Sequence, residues 1–478
     1  MKQKNDNKIL IKLKDKKDYT IKDIVLFSLL FIWMIIPILK MIQGVSLFTV
    51  IYEYRFMEFV GIIGIYLFAF EIYKKIKTSD NKKLLIKELL PIIILVGYLI
   101  WTLISCILAQ DKQKAFYGDT YRKEGFITYL IYSGFFACAF LIKSDKLKRC
   151  LLNSFIIIAI INIILINLTN NSIQMLKIFH FKNIQVGVFS NQNHYGYYLL
   201  LATMTASLSF ILEKNKLIKS FYGLAYLILI YNLILNNTFG CYIAFAITMI
   251  LFFVYCIYQK KNRLISAVSI FIFVIISCFV QYNGKNIVVN NAKILFKDIG
   301  SIFDVAKNRN DYEKDEQIEN IVNDKNEKND ISKSKNHSII SSETEKKFEN
   351  AGSGRAKLWK YGLKIFLEKP ILGYGADNLE SEYKKYDIEQ DRPHNLIIQL
   401  ATTSGLPGCI LYMIAIGLIL VRTFKRLNDS NCIYTIVFFA VIAYLISAMF
   451  GNSMYYTSPY YFIFLGITYS TMRSKTFW

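Results

Sequence analysis

Acidic residues are few beside basic ones in this chain of 478 residues: 35 Asp and Glu against 57 Lys and Arg, a formal net charge of +22. That excess would suit a nucleic-acid binder if it formed one patch. Here the basic residues fall in short clusters between apolar runs, the pattern of topological anchoring in a bilayer, and nucleic acid is excluded as a partner. Cysteine is absent where a disulfide framework would need it. The eight cysteines (106, 138, 150, 241, 256, 278, 409 and 432) lie in apolar runs or at their ends, and none falls in the large polar segment. They are expected to be small apolar packing residues. The Lys-rich start, Lys2 to Lys22, leads into a full-length apolar run without a small-residue cleavage site, so no cleavable signal peptide is expected. Histidine is rare, with four in the chain.

What is abundant is apolar. Hydrophobic residues make up 54% and aromatics 15% of the chain, and the mean hydropathy is +0.34. "IVLFSLLFIWMIIPILKMI" from Ile24 and "LLPIIILVGYLIWTLISCILA" from Leu89 are long enough to cross a bilayer as helix, which takes about 20 residues. One or two such runs could be buried core helices, but a dozen could not. The fold class is an all-α polytopic membrane protein. Its twelve expected spans lie at 24–42, 57–73, 89–108, 126–142, 151–168, 195–212, 220–235, 241–258, 264–282, 396–421, 432–449 and 457–472. Alternate connections ("KKIKTSDNKK", "KSDKLKR", "EKNKLIK", "QKKNR", "RTFKR" and the final "RSK") are basic, whereas "NNTFG" and "GNSMYYTSPYY" carry no Lys or Arg. The positive-inside rule then puts both termini in the cytoplasm.

The organisation that follows is a basic cytoplasmic tail (1–23), spans one to nine (24–282), one large extracytoplasmic loop between spans nine and ten (283–395), spans ten to twelve (396–472) and a cytoplasmic tail (473–478). Residues 307–350 of the loop are low in complexity, highly charged and almost free of aromatics, so disorder is expected there. Pattern returns over 354–395. In "GRAKLWKYGLKIFLEKPILGYGADNL", Leu358, Tyr361, Leu363, Ile365 and Phe366 fit an amphipathic helix that Pro370 ends, before a Gly373-Tyr-Gly375 turn. This helix is expected to lie on the membrane or to cap an outer cavity.

Chemistry-bearing residues gather at the outer ends of the spans. In "DRPHNLIIQLATTSGLPG", His394 stands at the mouth of span ten. Asn395, Gln399 and Thr402 follow at helical spacing, and Gly405 and Pro407 permit a bend. A polar stripe in a span normally faces a hydrated or protein-lined cavity. "FYGDTYRKEG" brings Arg122, Lys123 and Glu124 before span four. "GVFSNQNHYGYY" brings Asn191, Asn193 and His194 to span six, and "GSGR" brings Arg355 to the loop helix. Each alone reads as a snorkelling arginine, a capping asparagine or a histidine satisfying a helix end; their shared face raises the functional reading.

These segments resemble the O-antigen ligase/polymerase superfamily of membrane glycan transferases. The likeness rests on an Arg and Trp in the loop helix, a Pro then Gly-x-Gly turn, and His-Asn followed by Gly-x-x-Gly, with "GDTYRKEGF" and "NQNHYGYYLL" upstream. The resemblance implies transfer of a glycan from a polyprenyl (undecaprenyl) diphosphate carrier to a glycan, lipid or protein hydroxyl, outside a bacterial cytoplasmic membrane and without metal or other cofactor. It implies that His394 takes the acceptor's proton or positions the acceptor, and that Arg122 and Arg355 meet the donor diphosphate; Arg392 or Lys123 is expected to add the positive charge that this chain otherwise lacks there. Asn193, Asn395, Gln399, Gly373 and Gly375 would support the cavity. Two positions depart from the family pattern. Thr238-Phe239-Gly240 stands where Ser-Arg-Gly is frequent, and Thr403-Ser404 where Glu is frequent before the first glycine.

Within the superfamily, a cell-surface polysaccharide polymerase or a protein O-oligosaccharyltransferase is favoured over a lipid A ligase by the Lys/Asn/Ile-rich composition. A related peptidoglycan polymerase would call for a catalytic carboxylate in the loop, for which Asp377 and Glu380 are the candidates. A lipid-linked oligosaccharide flippase is the alternative of another class. It is disfavoured because the expected spans are nearly free of charge and the large loop is tied to a His-Asn span.

Overall fold

The computed structural model describes residues 19–43, 47–170, 186–189, 191–297, 354–427 and 432–472. The expected disordered stretch, 307–350, lies outside them. The first helices are α1 (Ile21–Gln43), α2 (Leu47–Thr78), α3 (Lys82–Ile107), the short α4 (Lys112–Tyr117), α5 (Phe126–Leu141) and α6 (Asp145–Asn170). There follow α7 (Gln192–Leu212), α8 (Lys216–Leu235), α9 (Phe239–Tyr258) and α10 (Arg263–Phe279). The large loop contributes α11 (Arg355–Glu368) and α12 (Glu380–Lys384), and the chain ends with α13 (Leu396–Phe424), α14 (Cys432–Ala448) and α15 (Ser458–Tyr469). The strand content among the described residues is one hairpin, Gln281–Tyr282 paired with Lys285–Asn286 around an Asn283-Gly284 turn with both φ positive.

A helix occupies each stretch expected to span, and the chain is a multi-pass helical membrane protein. These helices differ in length. Among the described residues, eight helices are long and apolar enough to cross a membrane, while α5, α10 and α14 are shorter apolar helices. The last, α15, has 12 residues.

Helix α7 forms the centre. It is apolar around its circumference and buried from His194 to Ser209, as expected of a helix enclosed by others; α8 and α14 flank it. Helix α5 packs between α2 and α15. Gly61, Gly64 and Gly134 let the α2 and α5 backbones touch, since a Cβ on Gly64 would lie 2.8 Å from Cys138 Sγ. Helix α3 packs along α13, joined by Trp101 Nε1 donating to the Ser404 carbonyl at 2.9 Å and by the Thr102 and Ser404 hydroxyls at 3.1 Å.

Two expectations need correction, and one buried charge pair is added near the ends of the expected spans: Lys40 of α1 and Glu53 of α2 meet at 2.9 Å. Each neutralises the other, which makes burial tolerable. Leu363 points outward at 51% exposure, because the buried face of α11 runs through Leu358, Gly362 and Ile365 instead. Cys150 and Cys278 are exposed rather than packed, although all eight cysteines are free thiols.

Candidate active site

The site is assembled where the loop segment 370–395 meets the heads of α13 and α5 and the 449–457 connection. Asparagines start the helices. The Asn395 carboxamide accepts the N–H groups of Ile397 and Ile398 at 3.0 and 3.1 Å, and it donates to the Met449 carbonyl at 3.1 Å. It therefore caps α13 and ties it to the last connection. Asn191 does the same for α7, accepting the Asn193 N–H at 2.8 Å.

The glycine turn and the bend in α13 lock onto each other. Gly405 leaves the helical region with φ 66° and ψ 177°. Against that break lies the Pro370–Gly375 strip. Tyr374 N–H donates to Thr402 O and Gly375 N–H to Thr403 O, each at 2.9 Å, and Leu406 N–H donates to Pro370 O at 2.7 Å. Gly373 (φ 68°) sits so close that a Cβ would lie 2.6 Å from the Thr403 carbonyl. Both glycines of the sequence motif have positive φ, and they hold the loop that carries Asp377 and, further on, Asp391, Arg392 and His394.

Beneath this loop lies a cavity of about 70 Å³. Seven tyrosines line it, from α3, α5, α7, α13, α14 and α15, together with Arg392, Gln399, Asn452 and Ser453. Gln399 Oε1 is buried without a hydrogen-bond partner. Thr402, the third residue of the expected stripe, spends its hydroxyl on the Ile398 and Gln399 carbonyls at 2.7 and 3.0 Å.

The charged groups form two linked pairs. Arg392, 1% exposed, is ion-paired with Asp377 and donates to the Ser453 carbonyl at 3.4 Å. Burial alone would raise the Asp377 carboxyl; the Arg392 charge and the Asp119 N–H at 2.7 Å outweigh it and hold the group below its ordinary value. Arg122 grips Asp391 with Nε at 2.5 Å and Nη2 at 2.8 Å. Behind them Glu124 is fully buried. It accepts the Tyr132 hydroxyl and, at 2.7 Å, the Ser453 hydroxyl. Burial pushes its carboxyl up, and Arg392 offsets this in part.

His394 lies in chain between Arg392 and Leu396 and touches Asn452, and all three of these neighbours line the cavity. Its φ of 51° is a left-handed conformation unusual for a residue with a side chain. Burial, then the Arg355 and Arg122 charges, lower its imidazole to about 4. Asn452 Nδ2 stands 3.3 Å from each ring nitrogen, and Asn452 Oδ1 has no partner. Turning that amide end for end would let Oδ1 accept the ring N–H and leave the other nitrogen with its lone pair. His194 is buried against Tyr456, its Nδ1 2.7 Å from the hydroxyl, within electrostatic reach of Arg122, Arg392 and His394.

Arg355 opens α11 after Gly354 and is near enough to act electrostatically on His394, Tyr197 and Cys241. Arg392 and Gln399 thus line the cavity, and Arg122, Arg355 and Arg392 lie within electrostatic reach of His394, whereas Asn395, the cap of α13, and Asn193, in the first turn of α7, do not line the cavity. At Thr238-Phe239-Gly240, the Thr238 hydroxyl donates to Gln192 O at 3.1 Å and Phe239 meets the edge of Tyr242, while Arg355 acts electrostatically on the next residue, Cys241. The loop carboxylates are engaged: Glu380, held to about 2 by Lys114 and Lys384, forms ion pairs with both at 2.6 and 2.7 Å. Sequence reasoning missed Asp391 and Asn452. Asp391 had a signal in its neighbour Arg392, but Asn452 sits in a connection notable only for lacking Lys and Arg.

A search of curated proteins finds no match to the chain. Residues 224–413, which include Arg355, Gly373, Gly375, Arg392, His394 and Gln399, match the family model for O-antigen ligase.

Proposed function

We propose that the protein is a membrane glycan transferase that moves a polyprenyl-diphosphate-linked oligosaccharide or polysaccharide to an acceptor hydroxyl on the outer face of the cytoplasmic membrane, in cell-surface polysaccharide biosynthesis. Nucleotide sugars are confined to the cytoplasm, so a transferase facing outward needs a lipid-linked donor. The acceptor oxygen attacks the anomeric carbon, and the bond from that carbon to the phosphoryl oxygen breaks. His394 takes the acceptor's proton, and the charge growing on the departing lipid diphosphate is met by Arg122, Arg355 and Arg392 rather than by a metal.

The observation that carries this reading is a histidine within electrostatic reach of three guanidiniums, Arg122, Arg355 and Arg392, the last of which lines the cavity. Burial beside Arg355 and Arg122 holds the His394 imidazole at about 4, so at neutral pH it is unprotonated and able to accept. Arg392 and Asn452 line the cavity next to it. The test uses purified protein with a lipid-linked donor. His394→Ala is expected to lower transfer by about 10²–10⁴ while donor binding persists, and Arg355→Ala to weaken donor binding as well. Turnover at the wild-type rate in His394→Ala would remove this residue from the mechanism.

A further inference from the structure

Arg122 and Arg392 are each held by a carboxylate of the chain, and the two carboxylates differ in how firmly they are fixed. Asp377 is buried with Arg392 and also accepts the Asp119 N–H at 2.7 Å, so backbone and side chain hold it together. Asp391 is more open: its side chain and that of Arg122 are each 22% exposed. Its two oxygens take the Nε and Nη2 of Arg122 at 2.5 and 2.8 Å, the same fork that a guanidinium presents to a phosphoryl group. One of them comes to 3.6 Å from Arg392 Nε, beyond hydrogen-bond distance. That Nε is buried and has no hydrogen-bond partner. An unmet buried donor is costly, and this one belongs to a residue that lines the cavity.

We propose that Asp391 is an exchangeable internal counter-ion. It occupies the seat of a phosphoryl group between Arg122 and Arg392 and leaves when the donor's diphosphate arrives. The inference rests on the reading of these arginines as diphosphate partners and adds the group they must release. Two oxygens of a tetrahedral phosphoryl group take over the fork of Arg122. A further oxygen is then available to Arg392 Nε, which a planar carboxylate chelated by Arg122 does not reach. Asp377 stays in place, so Arg392 keeps one counter-charge and its position throughout. In the empty site Asp391 keeps Arg122 oriented and its charge compensated.

The sign of one substitution decides between exchange and simple positioning. If Asp391 competes with the ligand, removing its charge strengthens anion binding; if it only orients Arg122, removing it weakens binding. The full-length protein in detergent is titrated calorimetrically with inorganic pyrophosphate. Asp391→Asn is expected to bind at least about threefold more tightly than wild type, the scale of a partly exposed ion pair. Arg122→Ala is expected to weaken binding in either background. Asp391→Ser repeats the measurement should the Asn variant fail to fold. Equal or weaker binding in the Asp391 variants, or no binding by any of the proteins, overturns the proposal. Neither glycan donor nor acceptor enters the titration, so its outcome is independent of whether the purified protein transfers glycan.

Discussion

At the scale of single residues, the proposed chemistry turns on a histidine whose surroundings make it a weak base until something changes. An exposed histidine is half protonated near pH 6.5; burial and the Arg355 and Arg122 charges bring His394 to about 4. The folded value is depressed, so in the free protein the imidazole stays neutral as pH falls from about 6.5 and is protonated only near 4. A diphosphate bound to those arginines cancels part of their field, which raises the imidazole and strengthens it as a base when the donor is present. The acid limb of kcat, which reports the bound enzyme, is therefore expected at higher pH than that of kcat/KM, which reports the free enzyme. Arg355→Ala should raise the acid limb of kcat/KM, since the second-largest depressing influence on His394 is gone. Coincident limbs in wild type, unmoved in the variant, would show that these charges do not govern the base.

At the scale of elements, the loop that carries His394 is positioned by a backbone lock between a turn and a helix break some thirty residues apart in sequence. Each half was legible alone, the Gly373–Gly375 turn from its glycines and the bend from Gly405 and Pro407. Their mutual packing was not, because backbone hydrogen bonds between Tyr374 and Thr402 or Leu406 and Pro370 leave no mark in side-chain pattern. Beside the lock, Ser404 is buried in the α3 interface, with its carbonyl accepting from Trp101 and its hydroxyl hydrogen-bonded to Thr102. Gly373→Ala adds a Cβ at positive φ and 2.6 Å from the Thr403 carbonyl, a combination of strain and overpacking that costs about 2–4 kcal/mol. It is expected to lower the unfolding temperature and to impair transfer while Arg122→Ala leaves the unfolding temperature nearly unchanged. An unfolding temperature equal to wild type in Gly373→Ala would show that the strip is not a lock.

At the scale of the whole molecule, helix positions were legible because near-continuous apolar runs announce themselves. Which helices touch, and the buried Lys40–Glu53 pair, were not, because a pair between two helices has no local period. Orientation is inferred from charge: the connections that follow α2, α5, α7, α9 and α13 are basic, while "NNTFG" and "GNSMYYTSPYY" on the opposite side carry no Lys or Arg. The proposed mechanism depends on it, since a large loop on the cytoplasmic side would place His394 among nucleotide sugars and remove the need for a lipid-linked donor. Single cysteines answer this, provided the exposed native Cys150 and Cys278 are first changed to serine. Cysteines at positions 320 and 340 are then expected to react with a membrane-impermeant maleimide on intact cells. Those at 80, 146 and 424 should react only after permeabilisation. If position 320 were to react only in permeabilised cells, the orientation would reverse, and with it the outer-face transfer from a diphosphate carrier.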